Sequence, residues 1–236
     1  MEWAVLALVA FAAAFIQSLT GFGSALVAMA VLPTLLGIRT AAPLVALLAG
    51  TLEAVLLVRY RGAVNLRAAW PLLAASALGI PVGVLALAHI EERVVLIVLG
   101  VVIAGYALYA LLNPRLPRLD HPAWAGAFGF VAGVLGGAYN TSGPPVVVYA
   151  STRGWAPDEF KGTLQGFFLV NDGLVILGHL LGHNLTLQVA RFYAIALPAL
   201  LLGAFLGARL DRYLNPAVFR KVVLALLLVV GLRLLW

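Results

Sequence analysis

Apolar residues fall along this chain in long blocks. Reading for stretches of about 20 residues gives eight of them, at 3–36, 41–58, 68–90, 94–112, 122–150, 161–182, 188–208 and 216–235. Only short loops lie between them. The pattern predicts an all-α polytopic membrane protein with eight hydrophobic segments. No stretch is left for an attached ATPase, kinase or extracytoplasmic binding domain, and no G-x-x-x-x-G-K-[ST] motif is present. Any driving force has to come from ion gradients or partners.

The first block has 34 residues (3–36) and the fifth has 29 (122–150). As straight helices they would be about 51 and 43 Å long, against a hydrocarbon core of about 30 Å. Each carries helix breakers near its middle: Thr20-Gly21-Phe22-Gly23-Ser24 in the first and Asn140-Thr141-Ser142-Gly143-Pro144-Pro145 in the fifth. Either could be a kinked span or a hairpin that enters the membrane and returns.

Loop charge separates these possibilities for the fifth block. With eight simple crossings, Arg59, Arg61, Arg67, Arg115, Arg118, Arg191 and Arg233 collect on one side. Arg39, Arg93, Arg153, Lys161, Arg209, Arg212, Arg220 and Lys221 collect on the other, so the 15 cations divide 7 to 8 with no bias. Making the fifth block a hairpin moves Arg153 and Lys161 beside the 113–121 loop and changes the side of every later loop. The division becomes 11 to 4. The cytoplasmic side then holds the loops at 59–67, 113–121, 151–161 and 209–221.

No cation precedes the first block, so its hairpin rests on symmetry. Residues 1–118 and 119–236 each open with a broken segment. Gly79-x-x-x-Gly83 answers Gly203-x-x-x-Gly207, and Asn65-Leu66 answers Asn184-Leu185. The expectation is two inverted repeats within one membrane domain, each opening with a broken re-entrant helical hairpin followed by three membrane-spanning helices, with both termini on the outer side.

Irregular backbone at membrane depth survives only where protein or a water-filled cavity satisfies its polar groups. Ser142 is a suitable N-cap and Pro144 a suitable first helical residue for a half-helix running on from Val146, while Ser24 or Gly23 could open its counterpart. Two such N-termini concentrate partial positive charge. Gln17, Ser18, Thr20, Asn140, Thr141 and Ser142 add neutral donors, a set suited to holding a small anion reversibly. The plainer alternative is that these Gly and Pro residues only kink helices for packing.

The chain resembles the TauE/SafE family of sulfite exporters and related anion and sulfonate permeases. The resemblance spans essentially the whole chain. It rests on Phe15-Ile16-Gln17-Ser18-Leu19-Thr20-Gly21-Phe22-Gly23, on Gly133-x-x-Gly136-Gly137 followed by Ser142-Gly143-Pro144-Pro145 and Tyr149, and on the duplicated eight-segment layout. It implies an inner-membrane permease with two re-entrant hairpins and a central anion site. Candidate substrate-binding residues are Gln17, Ser18, Thr20, Gly21, Gly23, Ser24, Tyr139, Asn140, Thr141, Ser142 and Gly143. The family's breadth does not single out sulfite.

Other polar residues stand inside apolar blocks. Lys161, Gln165, Asp172, His179 and His183 share one helical face, which lipid would not tolerate. Asp172 with His179 is a candidate proton relay. The alternative has Lys161 and His183 at the two interfaces and Asn171 with Asp172 bonding neighbouring helices. Glu53, six residues before Arg59 near the cytoplasmic end, reads best as a local ion pair or an interface position, with a transport role as the alternative. Arg191 reads as a helix-end residue. The paired glycines read as close-packing surfaces on which one repeat could slide.

Composition agrees with this picture: 64% of residues are hydrophobic, 10% are charged, and the mean hydropathy is +1.07. The start, Met1-Glu2-Trp3, lacks the cations of a signal peptide, so the first block is expected to remain as membrane structure. The chain has no cysteine, which removes disulfides, thiolate metal sites and a cysteine nucleophile. The +6 net charge belongs with cytoplasmic loops, not with nucleic acid. No cofactor, metal or catalytic residue is expected. An intramembrane protease or phosphatase is disfavoured because neither break contains a histidine or clustered acids. The expected partners are a small anionic substrate and the lipid bilayer. An anion channel is the leading alternative, and the oligomeric state, a homodimer included, is not in the sequence.

Overall fold

The computed structural model describes residues 2–112, 114, 117–211, 213 and 216–236. Arg115 and Arg212, used in the loop count, lie outside them. The described chain is 86% helical, and no strand occurs among the described residues. The helices are α1 (Glu2–Thr20), α2 (Ser24–Leu36), α3 (Ile38–Tyr60), α4 (Leu66–His89), α5 (Glu92–Leu112), α6 (Pro122–Tyr139), α7 (Gly143–Ser151), α8 (Pro157–Leu181), α9 (Leu187–Leu210) and α10 (Pro216–Arg233). A short 3-10 turn, Arg61–Ala63, joins α3 to α4. The first and fifth apolar blocks are thus each two helices, divided at the expected breakers.

Among the described residues, six helices, α1, α3, α4, α5, α8 and α9, are long and apolar enough to cross a membrane. Their outward faces carry large apolar side chains that water would not tolerate in such numbers, among them Leu78 at 72% exposure, Trp70 at 67% and Leu8 at 65%. This is a multi-pass membrane protein.

Local chemistry sets the helix starts. Asn65 caps α4 by accepting from the Ala68 amide at 3.1 Å, and its own side-chain amide donates to Glu159 at 2.9 Å. Thr163 accepts from the Asn65 backbone at 3.0 Å, which fastens the start of α4 to the start of α8. The expected counterpart in the second half shifts by two residues. Thr186, not Asn184, caps α9 by accepting from Val189, while Asn184 turns back toward His179.

The principal helix pairs are α1 with α9, α4 with α6, α3 with α8 and α5 with α10. All four join a helix before residue 118 to one after 119. Glycines permit the closest of these approaches. A Cβ on Gly79 or Gly83 would strike the carbonyl oxygens of Phe130 or Val134, and one on Gly133 or Gly137 those of Ser76 or Ile80. In the other pair, Gly203 lies against Phe11 and Gly207 against Phe15. Residue numbers rise together in both pairs, so both run parallel. In α5 and α10 they run oppositely, with Ala104 at Gly231 and Gly100 at Leu234.

The exit of α7 lies beside the entry of α6. Arg153 donates to the Leu119 carbonyl at 3.2 Å and pairs with Asp120 at 3.3 Å. The Phe128 and Tyr149 rings lie 5.9 Å apart.

Candidate functional site

At the first break, α1 ends at Thr20, whose single hydroxyl proton has two carbonyl acceptors in reach, Ile16 at 2.9 Å and Phe22 at 2.6 Å. Gly23 then takes φ 105°, a left-handed value that a side chain would strain, and α2 begins at Ser24. Gln17 holds this corner from one turn back in α1. Its side-chain oxygen accepts from the Ser24 amide at 2.9 Å, and its side-chain nitrogen donates to Glu53 of α3. One amide thus caps α2 and positions a carboxylate.

At the second break, Asn140 closes α6 in the left-handed conformation, φ 53° and ψ 27°, which asparagine adopts more readily than most residues. Ser142 occupies the N-cap position of α7, but its side chain makes no capping bond, contrary to the expected role. The helix starts at Gly143, so Pro144 and Pro145 fall at its second and third positions. Having no N–H, those prolines remove two of the amides that a helix start would otherwise present. Donors at this break therefore come mainly from side chains.

The two breaks meet in one cavity with about 320 Å³ of atom-free space, lined by Gln17, Gly23, Ser24, Ala25, Leu26, Ala49, Glu53, Asn140, Thr141, Ser142, Gly143, Phe168 and Asp172. Ala49 and Glu53 stand near the middle of α3, and Phe168 and Asp172 near the middle of α8, so the cavity lies at mid-depth.

Its walls hold buried polar atoms with no hydrogen-bond partner among the described residues: both side-chain polar atoms of Asn140, Oγ1 of Thr141 and Oε2 of Glu53. Asn140 and Glu53 are each 3% exposed and Thr141 1%. Left bare, such groups cost about 1–3 kcal/mol each, so the site asks for a polar ligand or water.

Seven of the candidate residues line this cavity: Gln17, Gly23, Ser24, Asn140, Thr141, Ser142 and Gly143. Four do not. The Ser18 hydroxyl turns back to the Ala14 carbonyl at 2.8 Å. Thr20 faces a neighbouring apolar pocket with Phe22 and Tyr106. Gly21 offers its carbonyl to Gln165 at 2.8 Å, and Tyr139 is buried outside the lining. For Ser18 helix geometry explains this, because it adjoins Gln17 and consecutive helical positions point about 100° apart; Thr20 and Gly21 fall at the break, where α1 ends.

Asp172 lines the cavity, whereas His179 lies two turns along α8 outside it, with Nδ1 3.2 Å from the Asn184 side-chain nitrogen. Asn171 accepts from Ser76 of α4 at 2.5 Å, bonding neighbouring helices. On α8 Gln165, Asp172 and His179 are buried and Lys161 half-buried, whereas His183, expected on the same face, lies beyond the helix end, exposed and in a left-handed conformation with φ 56°.

Glu53 departs most from expectation. It stands away from the helix ends, and its expected pairing with Arg59 falls on a side chain outside the described residues. It is buried at mid-depth, held by Gln17, with one oxygen facing the cavity. The sequence signal was a lone carboxylate inside an apolar block.

No solved structure matches the chain at a significant level. It is 29% identical to the probable sulfite/organosulfonate exporter TauE of Cupriavidus necator, over 95% of this chain and 90% of that protein. It is 27% identical to the probable inner membrane transporter protein TsaS of Comamonas testosteroni, over 72% of each chain. A further relative is the probable membrane transporter protein y4hK of Sinorhizobium fredii, 27% identical over 63% of each chain. The sequence profile of the sulfite exporter TauE/SafE family matches residues 6–234, and with six membrane-length helices around a polar mid-depth cavity, this chain belongs to that family.

Proposed function

We propose that this protein is a secondary exporter of small sulfur oxyanions, sulfite or compact sulfonates, which bind in the mid-depth cavity between the two helix breaks. The observation that carries this reading is the set of buried, unpartnered donors at Asn140 and Thr141 beside two helix starts. The exporter named for sulfite and organosulfonates in Cupriavidus necator supports the substrate class.

In this reading each half opens with a re-entrant hairpin followed by three spans, the halves are inverted, both termini lie outside, and the membrane is the inner one. The Arg153–Asp120 tie supports the second hairpin, because it joins the two ends of one broken segment. Pairing of α1 with α9 and of α4 with α6 supports equivalence of the halves, since each first helix packs on the same helix of the opposite half. Bare backbone contacts at Gly79, Gly83, Gly203 and Gly207 give surfaces that can slide without unlocking side chains, as alternating access requires. Asp172, in the cavity wall, and His179, outside it, are the candidates for tuning the coupling of anion movement to protons.

The test is the melting temperature of the purified protein in detergent against sulfite, thiosulfate, sulfate, methanesulfonate, taurine, acetate and phosphate. A ligand at 100 times its Kd stabilises the folded state by about 2.7 kcal/mol. A shift confined to sulfur oxyanions and lost in Asn140→Ala is expected. An equal shift in Asn140→Ala would remove the site from the breaks, and no shift with any anion would refute the anion reading.

A further inference from the structure

The cavity has a feature that an anion site should not have: two carboxylates in its wall. Glu53 and Asp172 both line it, and the Cβ that Gly50 lacks would sit 3.7 Å from the Cβ of Asp172, which places Asp172 within one turn of Glu53 across the α3–α8 contact. An oxyanion beside two ionised carboxylates at mid-depth would be expelled, since charges there are poorly screened.

The hydrogen bonding resolves the conflict. Gln17 donates to one oxygen of Glu53, so that oxygen acts as an acceptor. The other, Oε2, has no partner among the described residues and faces the same space as the unpartnered Asn140 and Thr141 atoms. A proton on Oε2 would turn it from an acceptor that repels an anion into a donor that binds one.

We infer that Glu53 is an anion ligand only in its protonated form, so that each anion entering the cavity is accompanied by one proton held on Glu53 Oε2. The inference rests on the anion reading above. The proton comes from water on the side where the cavity opens, and returns to water when the anion leaves. Anion and proton thus occupy the site together. Gln17 fixes which oxygen is free to carry the proton, so it is a positioning residue.

The surroundings of Glu53 contain few other titrating groups. Among the described residues that line the cavity, Asp172 is the second ionisable one, and α1, α2 and the α6–α7 break present neutral side chains. Further along α8, the Lys161 stem lies against Gly21, and His179 lies two turns beyond Asp172. On α9, the Tyr193 hydroxyl meets Thr51 of α3 at 2.7 Å.

The experiment uses the full chain in detergent and methanesulfonate, whose charge is constant across the working range. Its affinity is measured by calorimetry between about pH 5 and pH 9, in two buffers of different ionisation heat, so that protons taken up per anion are counted directly. The expected wild-type result is one proton per anion, with affinity falling about tenfold per pH unit on the alkaline side. Glu53→Gln keeps an acceptor for Gln17 and places an N–H donor where the protonated carboxyl would present its O–H. It is expected to bind the anion with no proton uptake and no pH dependence. Asp172→Asn is expected to retain the uptake while moving the pH at which it falls off.

Wild-type binding without proton uptake overturns the inference and leaves the anion site standing. Binding that demands sodium ions and moves no proton also overturns it. Uptake that persists in Glu53→Gln and vanishes in Asp172→Asn assigns the proton to the wrong carboxylate. If Glu53→Gln does not fold, the wild-type proton count decides alone. Absence of binding by any anion at any pH refutes the anion reading itself.

Discussion

Replacing Gln17 with alanine removes two interactions at once, because the same side chain caps α2 through the Ser24 amide and holds Glu53. Both partners are buried, Ser24 at 5% and Glu53 at 3% exposure. Each loses its hydrogen bond without gaining bulk water, at about 1–3 kcal/mol apiece, so the expected cost is about 4 kcal/mol. Helix propensity offsets little of it, since glutamine and alanine differ by only a few tenths of a kcal/mol in a helix interior. For a chain of this length 1 kcal/mol moves Tm by about 2–4 °C, which predicts a fall of roughly 8–16 °C. The five tryptophans give a fluorescence signal for melting in detergent. Gln17→Met, which fills the volume but makes neither bond, should fall nearly as far, separating lost hydrogen bonds from a lost contact surface. A Tm within about 2 °C of wild type for both variants would refute the reasoning, because the Ser24 amide and Glu53 would then have found other partners at no cost.

Three further outcomes are expected. In proteoliposomes, Asp172→Asn should change the pH dependence of sulfite flux while anion-induced stabilisation persists; an unaltered flux profile would remove Asp172 from coupling. Gly83→Val drives a side chain into the Val134 carbonyl and should destabilise the α4–α6 contact by about 3 kcal/mol, whereas Gly105→Ala, which meets nothing within 4 Å, should be neutral or gain about 0.5–1 kcal/mol; both are read from melting curves. Because the natural chain has no cysteine, Arg118→Cys and Ser151→Cys can be labelled individually in membrane vesicles. Modification of both from the same face is expected of a hairpin, and modification from opposite faces would show that α6 and α7 cross the membrane together.

Eight blocks and two breaks are determined locally, by apolar length against bilayer thickness and by Gly, Pro and Asn at fixed places in the chain, so the sequence alone was sufficient to find them. The helix limits differ from the apolar blocks by a few residues, and α1 and α6 stop where Gly21 and Asn140 interrupt them. Of the eleven residues singled out around the breaks, seven line the cavity, because irregular backbone at that depth has to be buried.

What only the tertiary structure decided is which way each residue faces. Helices apolar on nearly every side carry no stripe to fix their rotation, so Glu53 could be given either a cytoplasmic-end or a cavity-facing position until α3 was packed against α1 and α8. The same freedom turned Ser18 toward the Ala14 carbonyl and left Gln17, one residue earlier, to join Ser24 and Glu53. Rotation is set by contacts between residues far apart in the chain, Gly83 on Val134 and Gly203 on Phe11, and those contacts exist only once the helices have met.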